Sequence, residues 1–395
     1  MTGMSDGSEH RIAEFPPPYG GMLALSSDVE FTTWPTQVEL FAIFGGLGLE
    51  TAFSFWCFGD PRQTWRLFEA DHSLSPHAES AFRLARSGLL DSLHSFGDSA
   101  GLGEGPIDRA RMANAYEVLK REGVEVPVYS NHGSRSDRQN IGGEWATYQE
   151  GDLPHSPCYH LDLTLGYGIR FFWTDPDYDL EWRPGPSSGC SDDLFAAQGC
   201  RDGNRILRFR RYRGRLPQSP CATTVADQLA PLFREGLSGY KVIYQHLGAH
   251  RRPDGQAFSA TPPLFRDRDL EALRALSGLD RSGRVLVTTT ARLLRHAVLM
   301  KSRCWKISQE GPATVVTFPR LSVWQGVPFT LTWRDIEGWC MECADDHPVL
   351  ARLGSESRAM ACWIVNEVRY AGFPWSRIDV PVCVEDALEV TPCRS

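Results

Sequence analysis

Five separate stretches of this chain share one grammar: a helix-patterned run, a glycine or short polar break, a short apolar strand, and polar side chains at the strand's downstream end. The polar clusters are Ser26-Ser27-Asp28-Val29-Glu30, His94-Ser95-Phe96-Gly97-Asp98, Ser130-Asn131-His132-Gly133, Trp173-Thr174-Asp175 and Tyr244-Gln245-His246. Strands joined through helices run parallel, and parallel strands deliver their downstream ends to one face. The recurrence therefore predicts an α/β fold, a distorted (β/α)7-8 barrel with a site at one rim. No repeat is visible at residue level, so the periodicity is architectural.

The predicted strands are Met22–Ser27, Leu49–Phe58, Leu89–His94, Val124–Ser130, Ile169–Thr174, Arg205–Tyr212, Tyr240–His246 and Arg284–Thr290. Between them, apolar spacing predicts helices over Thr36–Phe44, stopped at Gly45-Gly46, and from Ser75-Pro76 to near Gly88. Further helices are expected over Arg109–Arg121, Tyr159–Tyr167, Val225–Gly236 and Leu264–Leu276. After about Met300 the pattern changes to short alternating runs, Ala313–Phe318, Phe329–Trp333 and Ala361–Tyr370, separated by Gly and Pro. The expected organisation is a flexible tail over residues 1–20, a barrel over 21–300 and a β-rich C-terminal module over 301–395. Six tryptophans, Trp305, Trp324, Trp333, Trp339, Trp363 and Trp375, fall in that module, as its core or as a sugar-stacking platform.

The formal charge of −8 is spread along the chain and leaves no basic stripe, which argues against a nucleic-acid partner. The densest basic run, Arg205–Arg215, alternates with Ile206, Leu207, Phe209 and Tyr212 and reads as a strand; Arg208, Arg210 and Arg211 near its end are placed to meet an anionic sugar, the register deciding which. Residues 1–20 have neither a basic start nor an apolar run, so no membrane span and a cytoplasmic location are expected. Eleven scattered cysteines suggest reduced thiols; Cys340 and Cys343 have the spacing of half a zinc knuckle without a second pair to complete it.

Asp28 and Glu30, two residues apart on an extended strand end, point the same way. Two adjacent carboxylates repel unless a cation or a shared proton lies between them. His94 and Asp98 sit close enough in sequence to reach one ion, while His132 and His246 end two further strands. Carboxylates with imidazoles are what a borderline divalent cation such as Zn²⁺ takes. Metal ligands are thus sought in His94, Asp98 and Glu30, and substrate contacts in His132, Asn131, Trp56, Trp173 and Asp175.

On these residues the chain resembles the polysaccharide deacetylase superfamily, enzymes with a distorted (β/α)7 barrel. Strand one of that family ends in Thr-Phe-Asp-Asp-Gly; here Asp28 matches the first aspartate, and the second carboxylate is displaced from Val29 to Glu30. The family's His-Ser/Thr-x-x-His motif is matched by His94-Ser95-Phe96-Gly97-Asp98, with aspartate in the last place, and its late Leu-His by Tyr244-Gln245-His246-Leu247. The family's arginine motif after strand four has no recognisable counterpart. The resemblance, over about residues 20 to 300, implies Asp28 as general base, His94 with Asp98 and Glu30 on a divalent metal, and His246 as the assisting acid. It implies removal of an acetyl group from an N-acetylated sugar in bacterial surface-polysaccharide metabolism, such as O-antigen synthesis. The altered motifs equally allow an inactive relative that binds a glycan or a partner. Paired acids such as Asp28 and Asp175 also allow a barrel glycosidase.

Overall fold

The computed structural model describes residues 11–60, 64–98, 107–133, 137–142, 149–174, 194–213, 216, 219–343 and 348–378. It is a mixed α/β protein with seven α-helices, one large mixed sheet and smaller strand-rich sheets among the described residues. The chain forms two compact units. The first comprises residues 21–293, 325–327 and the segment from 377; the second comprises the N-terminal residues to 20, 294–324 and 328–376.

The first unit runs β1 (Gly21–Ser27), α1 (Trp34–Leu47), β2 (Ala52–Phe55), α2 (Ala78–Ser87), β3 (Leu90–His94), α3 (Arg109–Arg121) and β4 (Val128–Ser130). It continues through α4 (Leu161–Tyr167), β5 (Phe171–Trp173), β6 (Phe195–Gly199), β7 (Arg205–Phe209), α5 (Val225–Glu235) and β8 (Gly239–Gln245). A short hairpin, β9 (Ala249–Arg251) and β10 (Ala257–Ser259), precedes α6 (Asp267–Arg281), β11 (Leu286–Thr288) and α7 (Thr290–Ser302).

Local chemistry explains the helix ends. The Thr33 side chain accepts from the Thr36 N–H and Asp108 from the Arg111 N–H, satisfying donors that the first turns of α1 and α3 leave open. Helix α1 passes through Gly45-Gly46, where a stop was expected, and ends at Gly48, whose φ of 68° turns the chain out of the helix. A glycine inside a helix costs only about 1 kcal/mol, which packing overrides; the reversal itself needs the left-handed residue.

Strand pairing is parallel along β11-β1-β2-β3-β4-β5-β7, with β6 antiparallel on β7. Strand β8 pairs in parallel with all of β1, from Gly21↔Gly239 to Ser27↔Gln245, and Tyr212, just beyond β7, pairs in parallel with Ile243 of β8. Register then fixes which side chains share a face. Ser26 lies opposite Tyr244, Ser54 opposite Ser92, His94 opposite Ser130, Ser130 opposite Trp173, and Phe171 opposite Leu207. Continuing each strand by twos puts Asp28, Trp56, His94, His132, Trp173, Arg211, Tyr244 and His246 on one face at the downstream ends. The opposite face packs under the helices in an apolar core that includes Leu25, Phe41, Phe53, Phe82, Leu93, Phe172 and Ile243.

The second unit is β-rich, as expected. Strands β12 (Lys306–Glu310), β13 (Ala313–Phe318), β14 (Leu321–Trp324), β15 (Val327–Thr330), β16 (Cys340–Glu342), β17 (Val349–Leu353), β18 (Glu356–Ala359), β19 (Ala361–Val365) and β20 (Val368–Gly372) include a four-stranded sheet, β12-β13-β17-β18, and a three-stranded one, β16-β20-β19. The run Ala361–Tyr370, expected as one strand, is a hairpin: Asn366 and Glu367 both have positive φ, the requirement of a tight two-residue turn. Trp339 is fully buried against Trp305 and Phe318 and builds the core of this unit. Residues 11–13, expected in a flexible tail, pair along β16 through Ile12↔Met341. Cys340 and Cys343 are free thiols, and burial pushes Cys340 up to about 12. The boundary between units falls at 293/294, inside α7, rather than at 300.

Candidate metal centre

Glu30 stands three residues past Ser27, the last paired residue of β1, and two past Asp28, whose N–H donates to the Gln245 carbonyl at 2.9 Å. Three imidazoles converge on one of its oxygens. His94 Nε2 lies 2.9 Å from Glu30 Oε1, His132 Nε2 3.2 Å and His246 Nε2 3.6 Å. His94 ends β3, His132 follows β4 and His246 follows β8, so three strand ends supply one cluster.

The opposite nitrogen of each ring faces an oxygen acceptor. His94 Nδ1 meets the Ser130 carbonyl at 3.2 Å, His246 Nδ1 the Pro220 carbonyl at 3.2 Å, and His132 Nδ1 the Asp137 carboxylate. A carbonyl oxygen only accepts, so those Nδ1 atoms carry the protons, and each neutral ring presents its Nε2 lone pair to Glu30. Lone pairs aimed at a carboxylate oxygen repel it unless Nε2 is protonated or a cation lies between. In the metal-free protein, protonation of His132 and His246 is favoured. Burial opposes charge on His132, but Asp137 and Glu30 raise its pKa well above the ordinary value. Burial likewise opposes charge on His246, and Glu30 outweighs it. Burial by itself would raise the Glu30 carboxyl; His94, His246 and His132 instead hold it well below the usual range.

Three of these atoms, from Glu30, His94 and His132, lie close enough to share a divalent cation. Donors about 2.0–2.1 Å from a tetrahedral Zn²⁺ lie roughly 3.4 Å from one another, which is the scale of the 2.9 and 3.2 Å separations of the His94 and His132 Nε2 atoms from Glu30. Glu30 Oε2 is buried with no hydrogen-bond partner among the described residues, an orphan that a cation would satisfy. Ligand atoms of Glu30, His94 and His132 lie within 4.8 Å of one another, as do those of Asp28, Glu30 and His246. Asp98, expected beside His94 and Glu30, is grouped with His132 and Asp137 instead. His132, expected among substrate contacts, lies instead among the side chains that could hold a metal ion.

Asp28 is 2% exposed, and both its oxygens accept from Arg211 Nη1, at 2.9 and 3.0 Å. The fully buried guanidinium is sandwiched 3.6 Å from the Trp173 ring centroid and 4.1 Å from that of Tyr244. Arg211, two residues beyond β7, thus meets a protein carboxylate rather than standing at the rim for a sugar. Its signal in the sequence was the alternation Leu207, Phe209, Arg211, readable once register is fixed. Trp173, expected to contact substrate, has a face taken by Arg211. Trp56 is 4% exposed and lies parallel to His94 with His132 edge-on, so it backs the imidazoles. Asn131 is also buried: its amide N–H groups donate to the Ile141 and Thr174 carbonyls, and its oxygen accepts from the Ile141 N–H. Asn131 therefore joins strand ends. Asp175 lies outside the described residues. Asp137 was not singled out by sequence reasoning, and Tyr244, named there only as part of the strand-end cluster, places its hydroxyl 3.3 Å from His246 Nε2.

Neither a protein-family model nor a curated protein matches this chain. Among the described residues no helix is long and apolar enough to cross a membrane.

Proposed function

We propose that this chain is a metal-dependent amide hydrolase that removes the acetyl group from an N-acetylated sugar. The observation that carries the proposal is the convergence of three Nε2 atoms on Glu30 Oε1 while each Nδ1 is tied to an oxygen acceptor. Metal-binding histidines are commonly held in this way, with the distal nitrogen donating to a carbonyl or carboxylate. His94, His132 and Glu30 would hold the cation, with His246 beside them. We read the pairing path from β1 through β5 and β7 to Tyr212, β8 and back to β1 as a barrel of mostly parallel strands, which supports the same family resemblance.

A bound divalent cation supplies Lewis acidity, polarising the acetyl carbonyl and acidifying a water. Asp28, within 4.8 Å of Glu30 and His246, takes the water's proton. Arg211 fixes Asp28 in place, so the base does not rotate away. His246, anchored by Pro220, gives a proton to the departing amine. Chelator treatment is expected to abolish acetate release from N-acetylglucosamine oligosaccharides and added Zn²⁺ to restore it. Asp28→Asn is expected to lower release by about 10²–10⁴-fold; equal release from both proteins removes Asp28 from the mechanism.

The tight Arg211 clamp on Asp28 favours a second reading, a centre that binds metal and glycan without turnover. Elemental analysis showing a bound cation, with saturable sugar binding and no acetate, would select it.

A further inference from the structure

We propose that Asp137 is the positioning residue of this centre: it fixes His132 as the Nδ1-protonated ring and thereby turns the Nε2 lone pair toward the cation. The inference rests on the metal-centre reading above. Of the three imidazoles, His94 and His246 have their Nδ1 atoms on backbone carbonyls, whereas the Nδ1 of His132 is held by a side chain, so residue choice sets its alignment directly.

The surrounding loop is built to hold that carboxylate. Asn140 grips His132 reciprocally, its Oδ1 accepting from the His132 N–H at 3.1 Å and its Nδ2 donating to the His132 carbonyl at 2.6 Å. Asn131 grips Ile141 in the same reciprocal manner, at 2.8 and 3.0 Å. These two clasps close the loop that carries Asp137. Gln139 Nε2 then donates to Asp137 Oδ1 at 3.2 Å while also reaching the Ser95 and Gly97 carbonyls, both at 3.0 Å, and so ties the carboxylate to the turn after His94. Asp137, Gln139 and Asn140 are all fully buried. Gln139 holds one oxygen, and the other meets His132 Nδ1.

This arrangement makes Asp137→Asn a sharp substitution. An asparagine whose oxygen stays on Gln139 presents an NH₂ to His132 Nδ1, which forces the proton to Nε2 and blocks coordination. The reverse orientation sets two amide NH₂ groups against each other.

The test is Zn²⁺ titration of the metal-free full chain against a chromophoric chelator. Asp137→Asn is expected to weaken Zn²⁺ binding by about 10–100-fold, with the fold verified by circular dichroism. An affinity within about twofold of the wild type overturns the proposal and leaves the metal centre standing, whereas a wild-type chain that does not bind Zn²⁺ removes the centre itself. Where the variant does not fold, ¹⁵N-histidine spectra of the zinc-loaded wild type decide: a proton on His132 Nδ1 with metal-shifted Nε2 supports the assignment, and metal on Nδ1 overturns it.

Discussion

Glu30 makes the metal-free site depend on pH in a direction that can be worked out. His132 and His246 have pKa values raised above the ordinary 6.5, so their pairing with Glu30 stabilises fully below pH 6.5 and is lost as pH rises through the folded values. Glu30 is lowered from 4.5, so its share is present above that value and lost as pH falls below it. His160 acts oppositely: burial lowers it to about 4 between the Thr164 hydroxyl and the Gln139 carbonyl, so it must stay neutral, and its contribution declines from pH 6.5 downward. The urea midpoint of metal-free protein is therefore expected to peak near pH 6.5 and fall on both sides. Saturating Zn²⁺ should shrink the alkaline fall, because the metal takes the place of the His132 ring proton that faces Glu30. A midpoint that climbs steadily from pH 6.5 to 8.5 without metal would contradict the charge assignment. Asp28, Glu30, His94 and His246 were legible in the sequence because strand ends and two-residue alternation place them. Asp137 was not, since its partner lies across a loop with no period to read. Asn131 looked functional only because a buried amide clasp and a substrate ligand use the same residue type.

At the scale of an element, the turn after β3 is the most constrained connection near the site. Ser95, Phe96 and Gly97 have successive positive φ values of 56°, 61° and 136°, and the Phe96 carbonyl accepts from both Cys57 and Phe58 N–H. This reversal carries the chain from His94 toward Asp98. A Cβ on Gly97 would overlap the Phe58 carbonyl, so Gly97→Ala combines backbone strain with a steric clash and is expected to cost at least about 3 kcal/mol. Gly123→Ala is the control: φ is 65° but the space is open, so the left-handed penalty of about 1–2 kcal/mol is all that remains. Equal urea midpoints for the two variants would show that the Phe58 contact is not limiting. The sequence displayed Gly97 as a break between two ligand-type residues but not its contact with Phe58, which is a tertiary approach. Helix ends at Gly88 and Gly168 were readable because each takes the left-handed conformation itself. Strands β6, β9 and β10 were missed because such short runs have too few residues for alternation to emerge, and α7 because it begins at Thr290, the last residue of the strand expected over Arg284–Thr290, with no break after β11 to mark its start.

Across the whole molecule, the chain leaves the first unit within α7 and makes its final return at Arg377, and the first-unit residues beside these two crossings are fastened near one carboxylate. Glu50, just before β2, accepts from Arg292 Nη1 at 2.6 Å and from the Thr288 hydroxyl at 3.1 Å on the outgoing side. Its other oxygen accepts from the Ile378 N–H at 2.8 Å on the returning side, while Arg377 pairs with the buried Asp280 at 2.5 Å. Composition and periodicity announced a β-rich second module, yet not this interleaving, because contacts between residues 328 positions apart leave no local pattern. Glu50 is 5% exposed, so removing it takes one acceptor from a largely buried guanidinium and another from a backbone donor. Breaking one side of a buried pair costs about 3–5 kcal/mol, and Glu50→Ala is expected to destabilise the first unit by that amount. Glu50→Gln keeps an oxygen for Ile378 and should cost less. Hydrogen exchange reads the difference: amides of β1 and β11 should lose protection in Glu50→Ala, while those of β13 and β17 in the second unit should keep it. Unchanged protection at Leu23 and Val287 would mean that the returning segment is held by Arg377 and Asp280 without Glu50.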